Sequence, residues 1–156
     1  MVASQVSAAC AAAFRDLERK DAPKVAALTY QLTRNIIDPD NLTQRIADSA
    51  NAQNSQWMVA VLDGEVVGSG GLCWYTIPSK GLIAWIEEIV VDDNERGRHI
   101  GLGLMEALIR LAIGMRVNML KLTTGTEEAR HLYEKLGFEK KEKEDYYTLR
   151  LAPPAS

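Results

Sequence analysis

The sequence predicts an α/β fold, a mostly antiparallel sheet flanked by helices. Three observations carry that reading. Two β-rich runs, "WMVAVL" and "EVVGSGGLCWY", meet at Asp63-Gly64, a strong signal for a two-residue hairpin. Segments with apolar residues at helical spacing lie on both sides of this strand-rich middle. The elements then follow the order β-α-α-β-β-β-α-β-α-β, without internal repeats. With 156 residues, 47% of them apolar, the chain is long enough for one domain with its own core.

Each element has a local reason. "AFRDL" is a short strand. In "KDAPKVAALTYQLTRNI", Asp21 is placed to cap a helix and Pro23 falls in its first turn. Val25, Leu28, Thr29 and Leu32 recur on one face of that helix. A second helix is expected to start near Asp38 or Asp40, with Leu42 and Ile46 facing inward, and "NAQNSQ" reads as a loop. Gly68, Gly70 and Gly71 within the returning strand point to a bulge or a close backbone approach. "LIAWIEEIVV" is a long strand, and "LGLMEALIRLAIGM" a helix. "MLKLTT" is β-rich. "EEARHLYEKL" is a helix capped by Thr126, with acidic residues in its first turn and Gly137 just past its end. "YYTLRL" is expected to form the last strand, at a sheet edge that invites pairing with a second copy.

Composition removes several function classes. A formal charge of −3 argues against a general nucleic-acid binder. No apolar run reaches the ~18 residues of a spanning helix. The opening "MVASQVSAACAAAF" has no basic segment and no sustained apolar core, so no signal peptide is expected and residues 1–13 read as a flexible extension. Cys10 and Cys73 make no disulfide framework. A cytoplasmic protein is expected. His99 and His131 stand far apart and compose no metal cluster.

The chemistry concentrates in "ERGRHIGLGLMEAL", residues 95–108. A glycine-rich turn that opens a helix is a ready anion site. It is not a dinucleotide fingerprint, because "GLGLME" lacks the third glycine and antiparallel strands precede it. No Gly-Lys-Ser/Thr occurs, which removes a Walker loop. A long strand ending "EEIVVDDN", a basic loop and a helix N-terminus remain. There the N–H groups of Gly97 to Leu102 can cradle a diphosphate, with Arg96 and Arg98 adding charge.

With those residues in place, the chain resembles the GNAT superfamily of N-acetyltransferases over about residues 14–150, and a domain spanning 14–151 is expected. The resemblance rests on "WIEEIVVDDNERGRHIGLGLMEALI", which follows the family order of an acidic strand, a loop of the type R-G-x-G-h-G and an apolar helix. It rests also on "LYEKLGF" at 132–138. The resemblance implies a mixed sheet splayed between its fourth and fifth strands, with acetyl-CoA lying in the split. Ile89, Val90 and Val91 would then offer strand backbone to the coenzyme. Arg96, Gly97, Arg98, His99, Ile100 and Gly101 would hold its pyrophosphate, together with the N–H of Leu102. An alternative register, Arg98-x-x-Gly101-x-Gly103, also fits the short pattern. Two positions depart from the family. His99 stands where a glycine is common; a helical φ there would accommodate it and a left-handed φ would strain it. Ala129 stands where many members have an asparagine that helps hold the coenzyme.

Acetyl transfer to an amine needs a neutral amine, a donor for the oxyanion and a proton for the leaving thiolate. Glu87 and Glu88 are the candidate bases. Strand alternation would set them on opposite faces, and Glu87 matches the more constant acidic position of the family. The resemblance gives Tyr133 the role of protonating the thiolate and a backbone N–H near Val91 that of the oxyanion donor. Trp74, Tyr75, Trp85, Tyr146 and Tyr147 are candidates for an acceptor cleft, and Glu87 with Asp145 favours a cationic acceptor. The expected function is transfer of acetyl from acetyl-CoA, without a metal, to a primary amine of a small molecule. Glucosamine phosphate, with Arg45, Lys80 and the lysines at 140–143 as its phosphate partners, is the alternative. Peptide amines, and a coenzyme-binding module without turnover, are also open. No nucleic-acid or membrane partner is expected, and a homodimer is.

Overall fold

The computed structural model describes residues 11–142 and 144–151. Cys10, Lys143 and most of the expected N-terminal extension lie outside them. The chain divides into two compact units, one up to Thr123 and one from Thr124 onward.

The first unit is a five-stranded sheet in the order β1-β2-β3-β4-β5. Its strands are β1 (Ala13–Asp16), β2 (Ser55–Leu62), β3 (Glu65–Ile77), β4 (Gly81–Val91) and β5 (Met119–Lys121). The first four run antiparallel, and β5 is parallel to β4. The β2–β3 turn is made as the sequence demands, with Asp63 at φ 51° and Gly64 at φ 79°. Helices α1 (Ala22–Leu32) and α2 (Leu42–Ser49) precede β2, and α3 (Ile100–Gly114) follows β4.

Period-2 alternation divides the core between the two faces. Val59, Val66 and Val90 turn to one side, where they pack with Leu17, Val25 and Leu28 beneath α1. Ala60, Val67 and Ile89 turn to the other, where they meet Ile100 and Leu104 of α3. Gly103 lets α3 close on β1, since a Cβ there would run into the Phe14 ring. Asp21 precedes α1 as expected, but its side chain does not cap that helix and closes the preceding turn instead. It is buried, takes the Arg15 guanidinium at 2.7 and 2.9 Å and accepts the Glu18 N–H at 2.9 Å. Those bonds hold its carboxyl below the ordinary carboxylate range, the Arg15 hydrogen bond first.

The second unit contains α4 (Glu127–Lys135). Thr126 caps it, its hydroxyl accepting the Ala129 N–H at 3.3 Å. Gly137, at φ 95°, ends it. The expected last strand is corrected: residues 138–142 and 144–151 form no strand. The alternation of "YYTLRL" is real, but a strand needs a partner to take its backbone bonds. Tyr146, Tyr147, Leu149 and Leu151 are all strongly exposed. "MLKLTT" is likewise shorter than expected and pairs only through Met119, Leu120 and Lys121.

Candidate active site

Strand β4 changes character at its middle. Ile83, Ala84 and Trp85 have partners on both sides, Tyr75, Trp74 and Cys73 on β3 and Met119, Leu120 and Lys121 on β5. Beyond Trp85 β5 has ended, and the β5-side edge of Ile86–Val91 has no strand partner among the described residues. The register with β3 also slips there. Gly71 faces Glu87 and Ser69 faces Val90, so Gly70 alone opposes Glu88 and Ile89. Glu88 absorbs the extra residue at φ 49°, a left-handed conformation that costs a residue with a Cβ about 1–2 kcal/mol. The glycines of β3 make room for this bulge, because a Cβ on Gly70 would run into Ile89.

The bulge overturns the expected separation of the two carboxylates. Gly71 is the cross-strand partner of Glu87, and a Cβ on it would point into the Trp57 ring. Glu88 lines a cavity together with Trp57, Ser69 and Val90. Both glutamates therefore stand on the face covered by α1 and α2, not on opposite faces. Each is open to solvent on one side. The sheet still encloses Glu87 enough to raise its carboxyl above the ordinary range, burial being the larger cause and the charge of Glu88 the second. The Cys73 thiol shares this face and is raised by burial, then by Glu87 and Glu88. It stays protonated and is a poor nucleophile.

After β4 the chain makes a short turn at Asp93–Glu95, where the Asp92 carboxylate accepts the Asn94 N–H at 3.1 Å. Gln31 of α1 accepts the Asp93 N–H at 2.9 Å. Arg96, Gly97, Arg98 and His99 follow as an exposed loop. Gly97 has φ 83° and a Cβ there would meet nothing within 4 Å, so its glycine serves the turn. His99, at φ 59°, is left-handed, a conformation in which histidine is over-represented among residues other than glycine. It precedes the N–H groups of Ile100, Gly101 and Leu102, which have no intrahelical acceptors and sit at the positive end of α3. Arg96 pairs with Asp93 at 3.0 Å, and Arg98 with Glu95 at 3.4 Å. Gly103, central to the alternative register, is buried against Phe14 instead.

In the second unit Tyr133 lies on α4, its ring edge-on to Phe138 at 6.1 Å. Burial pushes its hydroxyl up, which keeps the proton in place. His131 is exposed, and the Ala129 N–H is committed to the Thr126 cap. Among the expected aromatics, Trp85 donates to the Tyr75 hydroxyl at 3.0 Å and lies 5.5 Å from the Lys121 ammonium. Several residues of the cavity were not read from the sequence, among them Trp57 and Ser69. The signal was present in Gly70-Gly71, since adjacent glycines in a strand mark large neighbours on both faces.

A strand edge left open, a loop of free amides and a pair of arginines fit a diphosphate on a chain that pairs with backbone. The acetyltransferase (GNAT) family profile matches residues 12–138, and the chain belongs to that family. It is an acetyl-CoA-dependent acetyltransferase. Among solved structures, an acetyltransferase of Trypanosoma brucei is 26% identical with a TM-score of 0.74, over 88% of this chain and 99% of its own. An acetyltransferase of Clostridium acetobutylicum, solved with acetyl-CoA, is 16% identical with a TM-score of 0.73, over 88% and 96%. The glucosamine-6-phosphate N-acetyltransferase of Arabidopsis thaliana is 21% identical with a TM-score of 0.73, over 89% and 99%. The last two show the shared fold. No curated protein matches the chain.

Proposed function

We propose that the acceptor is a primary amine of a small molecule, and that Glu87 and Glu88 receive it. The observation that supports this is their placement on one face of β4, at the point where the sheet opens. Two carboxylates there attract an ammonium group. Glu87, raised by burial and by its neighbour, is the better base, since a carboxyl closer to neutral pH takes a proton more readily. Glu88 stands beside the incoming cation.

Acetyl-CoA supplies the activated thioester. Arg96, Arg98 and the N–H groups of Gly97 to Leu102 hold its phosphates, and the open edge at Ile89, Val90 and Val91 aligns its arm. A backbone N–H near Val91 faces the developing oxyanion. Tyr133, protonated because burial raises it, keeps the role that the family resemblance gives it, a proton donor for the leaving sulfur.

Coupled detection of free thiol over a panel of acceptors tests this reading. The panel holds simple amines, amino acids, glucosamine 6-phosphate and short peptides. Preference for a simple amine supports it. Preference for the phosphosugar or for a peptide replaces the small amine with that acceptor.

A further inference from the structure

The cavity beside Glu88 carries the reading further. It measures about 310 Å³, at the small end of ligand pockets. Its apolar walls come from Val25, Leu42, Ile46 and Val90, with Ile36 and Ile37 from the α1–α2 connection, and neutral polar residues such as Thr33, Asn35 and Ser69 interrupt them. Glu88 is its only acidic residue and Arg45 its only basic one among the described residues. Arg45 is spent on the backbone. It donates to the Ile37 carbonyl at 2.6 Å, to the Asp38 carbonyl at 3.0 Å and weakly to the Asp38 carboxylate at 3.5 Å. An anion would have to displace those bonds. A second cation on the ligand would find no second carboxylate among the described lining residues, and an unpaired charge there is costly.

Trp57 sets one boundary of this space. Its ring lies against the backbone of Gly71, where any side chain would collide with it. Its Nε1 donates to the Ser55 hydroxyl at 3.3 Å, which fixes the ring's direction.

We propose that the acceptor amine carries a compact apolar body, one ring or one branched chain in size, and that Trp57 limits that size. This rests on the small-amine reading above. The ammonium lies toward Glu88 and Glu87, and the body fills the space between α1, α2 and the sheet. The transfer itself is balanced. The ammonium gives one proton to the carboxylate base, the freed nitrogen bonds to the acetyl carbon, the carbon–sulfur bond breaks, and the second proton lost by nitrogen balances the one the sulfur takes up to leave as thiol.

Steady-state transfer by the full chain tests the proposal with propylamine, isoamylamine, 2-phenylethylamine, tryptamine, spermidine and glucosamine 6-phosphate. Isoamylamine and 2-phenylethylamine should lead. Each methylene added below the size limit should raise kcat/KM about fourfold, the factor a buried methylene carries. Trp57→Ala should move the optimum toward tryptamine. Trp57→Phe, the milder change, should move it the same way by less and covers the case in which the alanine variant does not fold. Spermidine or glucosamine 6-phosphate ahead of both apolar amines overturns the apolar body while leaving amine acetylation standing. An unchanged order in both Trp57 variants overturns the size limit. Absence of transfer to every amine overturns the small-amine reading. In that event, calorimetric binding of 2-phenylethylamine that changes in Trp57→Phe still supports the apolar site, and absence of binding removes it as well.

Discussion

The two halves of β4 obey different rules. From Gly81 to Ile86 the strand runs between two neighbours at its start, alternates regularly and buries Ile83, Ala84 and Ile86. From Glu87 to Val91 it is bulged, has a strand neighbour on one side only among the described residues and carries two adjacent carboxylates on one face. The first half spends its residues on stability. The second accepts a left-handed glutamate and an unpaired edge, both of which cost stability. The contrast teaches that, within one strand, the place to look for chemistry is where pairing stops.

The contrast can be broken most strongly at Glu87. Glu87→Gln should lower kcat/KM by about 10²–10⁴-fold, the usual worth of a general base. The loss should be full at pH values where the native carboxyl is ionised. It should shrink as pH falls below its pKa, because the native enzyme is then protonated as well. Since Glu87 is raised, the native acidic limb lies above the ordinary carboxylate range. Glu88→Gln removes one of the causes of that rise, so its limb should move to lower pH. A pH–rate profile of the two variants checks both statements, and a Glu88→Gln limb that moves upward contradicts the assignment.

Ile83→Ala is the matching change in the first half. Ile83 is fully buried, and the loss should be about 2–5 kcal/mol of stability with the pH–rate limb unmoved. Denaturant titration gives the first number and the same pH series the second. A displaced limb would mean that the two halves are not separable.

Smaller effects belong to the loop beyond the strand. Arg98→Ala should weaken acetyl-CoA by about 1.5–3 kcal/mol, the worth of a charge-assisted hydrogen bond. It should also lower stability by up to about 1–3 kcal/mol, because Glu95 is only 25% exposed and the Oε2 that faces Arg98 is buried. Calorimetric titration of the coenzyme measures the first and thermal unfolding the second. Least of all, His99→Gly should keep coenzyme affinity and change stability by less than about 1 kcal/mol, since relief of the left-handed φ is offset by glycine's greater chain entropy. Lost affinity in a folded His99→Gly would assign the imbidazole itself to the coenzyme.

Much of this was legible in the sequence because its causes are local. Asp63-Gly64 dictates its own turn, Thr126 and Gly137 delimit α4, and the hydrophobic periods of β2, β3 and α3 place them within a few residues. The family motif likewise lies in consecutive residues, so the loop from Arg96 to Gly101 could be read directly. What escaped depends on distant partners. The common face of Glu87 and Glu88 comes from a register slip against Ser69–Gly71, which strand alternation does not contain. The apolar residues of "YYTLRL" satisfy the pattern of a strand, but pattern alone supplies no neighbour. Trp57 and Ser69 enter the cavity only through the pairing of β2 with β3 and of β3 with β4.

The short β5 has a consequence for how the chain behaves in deuterated water. Where β5 pairs with Ile83, Ala84 and Trp85, it screens the edge of β4; from Ile86 to Val91 that screen is gone. The N–H groups pointing away from β3 along this stretch trade their protons with solvent at rates set by exposure, beside neighbours that barely trade at all. The same open edge is adhesive, since unsatisfied strand backbone next to Ile89 and Val90 is a template for any passing extended chain. A coenzyme arm that paired with it would slow the exchange and cap the edge together, so isotope uptake along six residues would double as a gauge of shelf life.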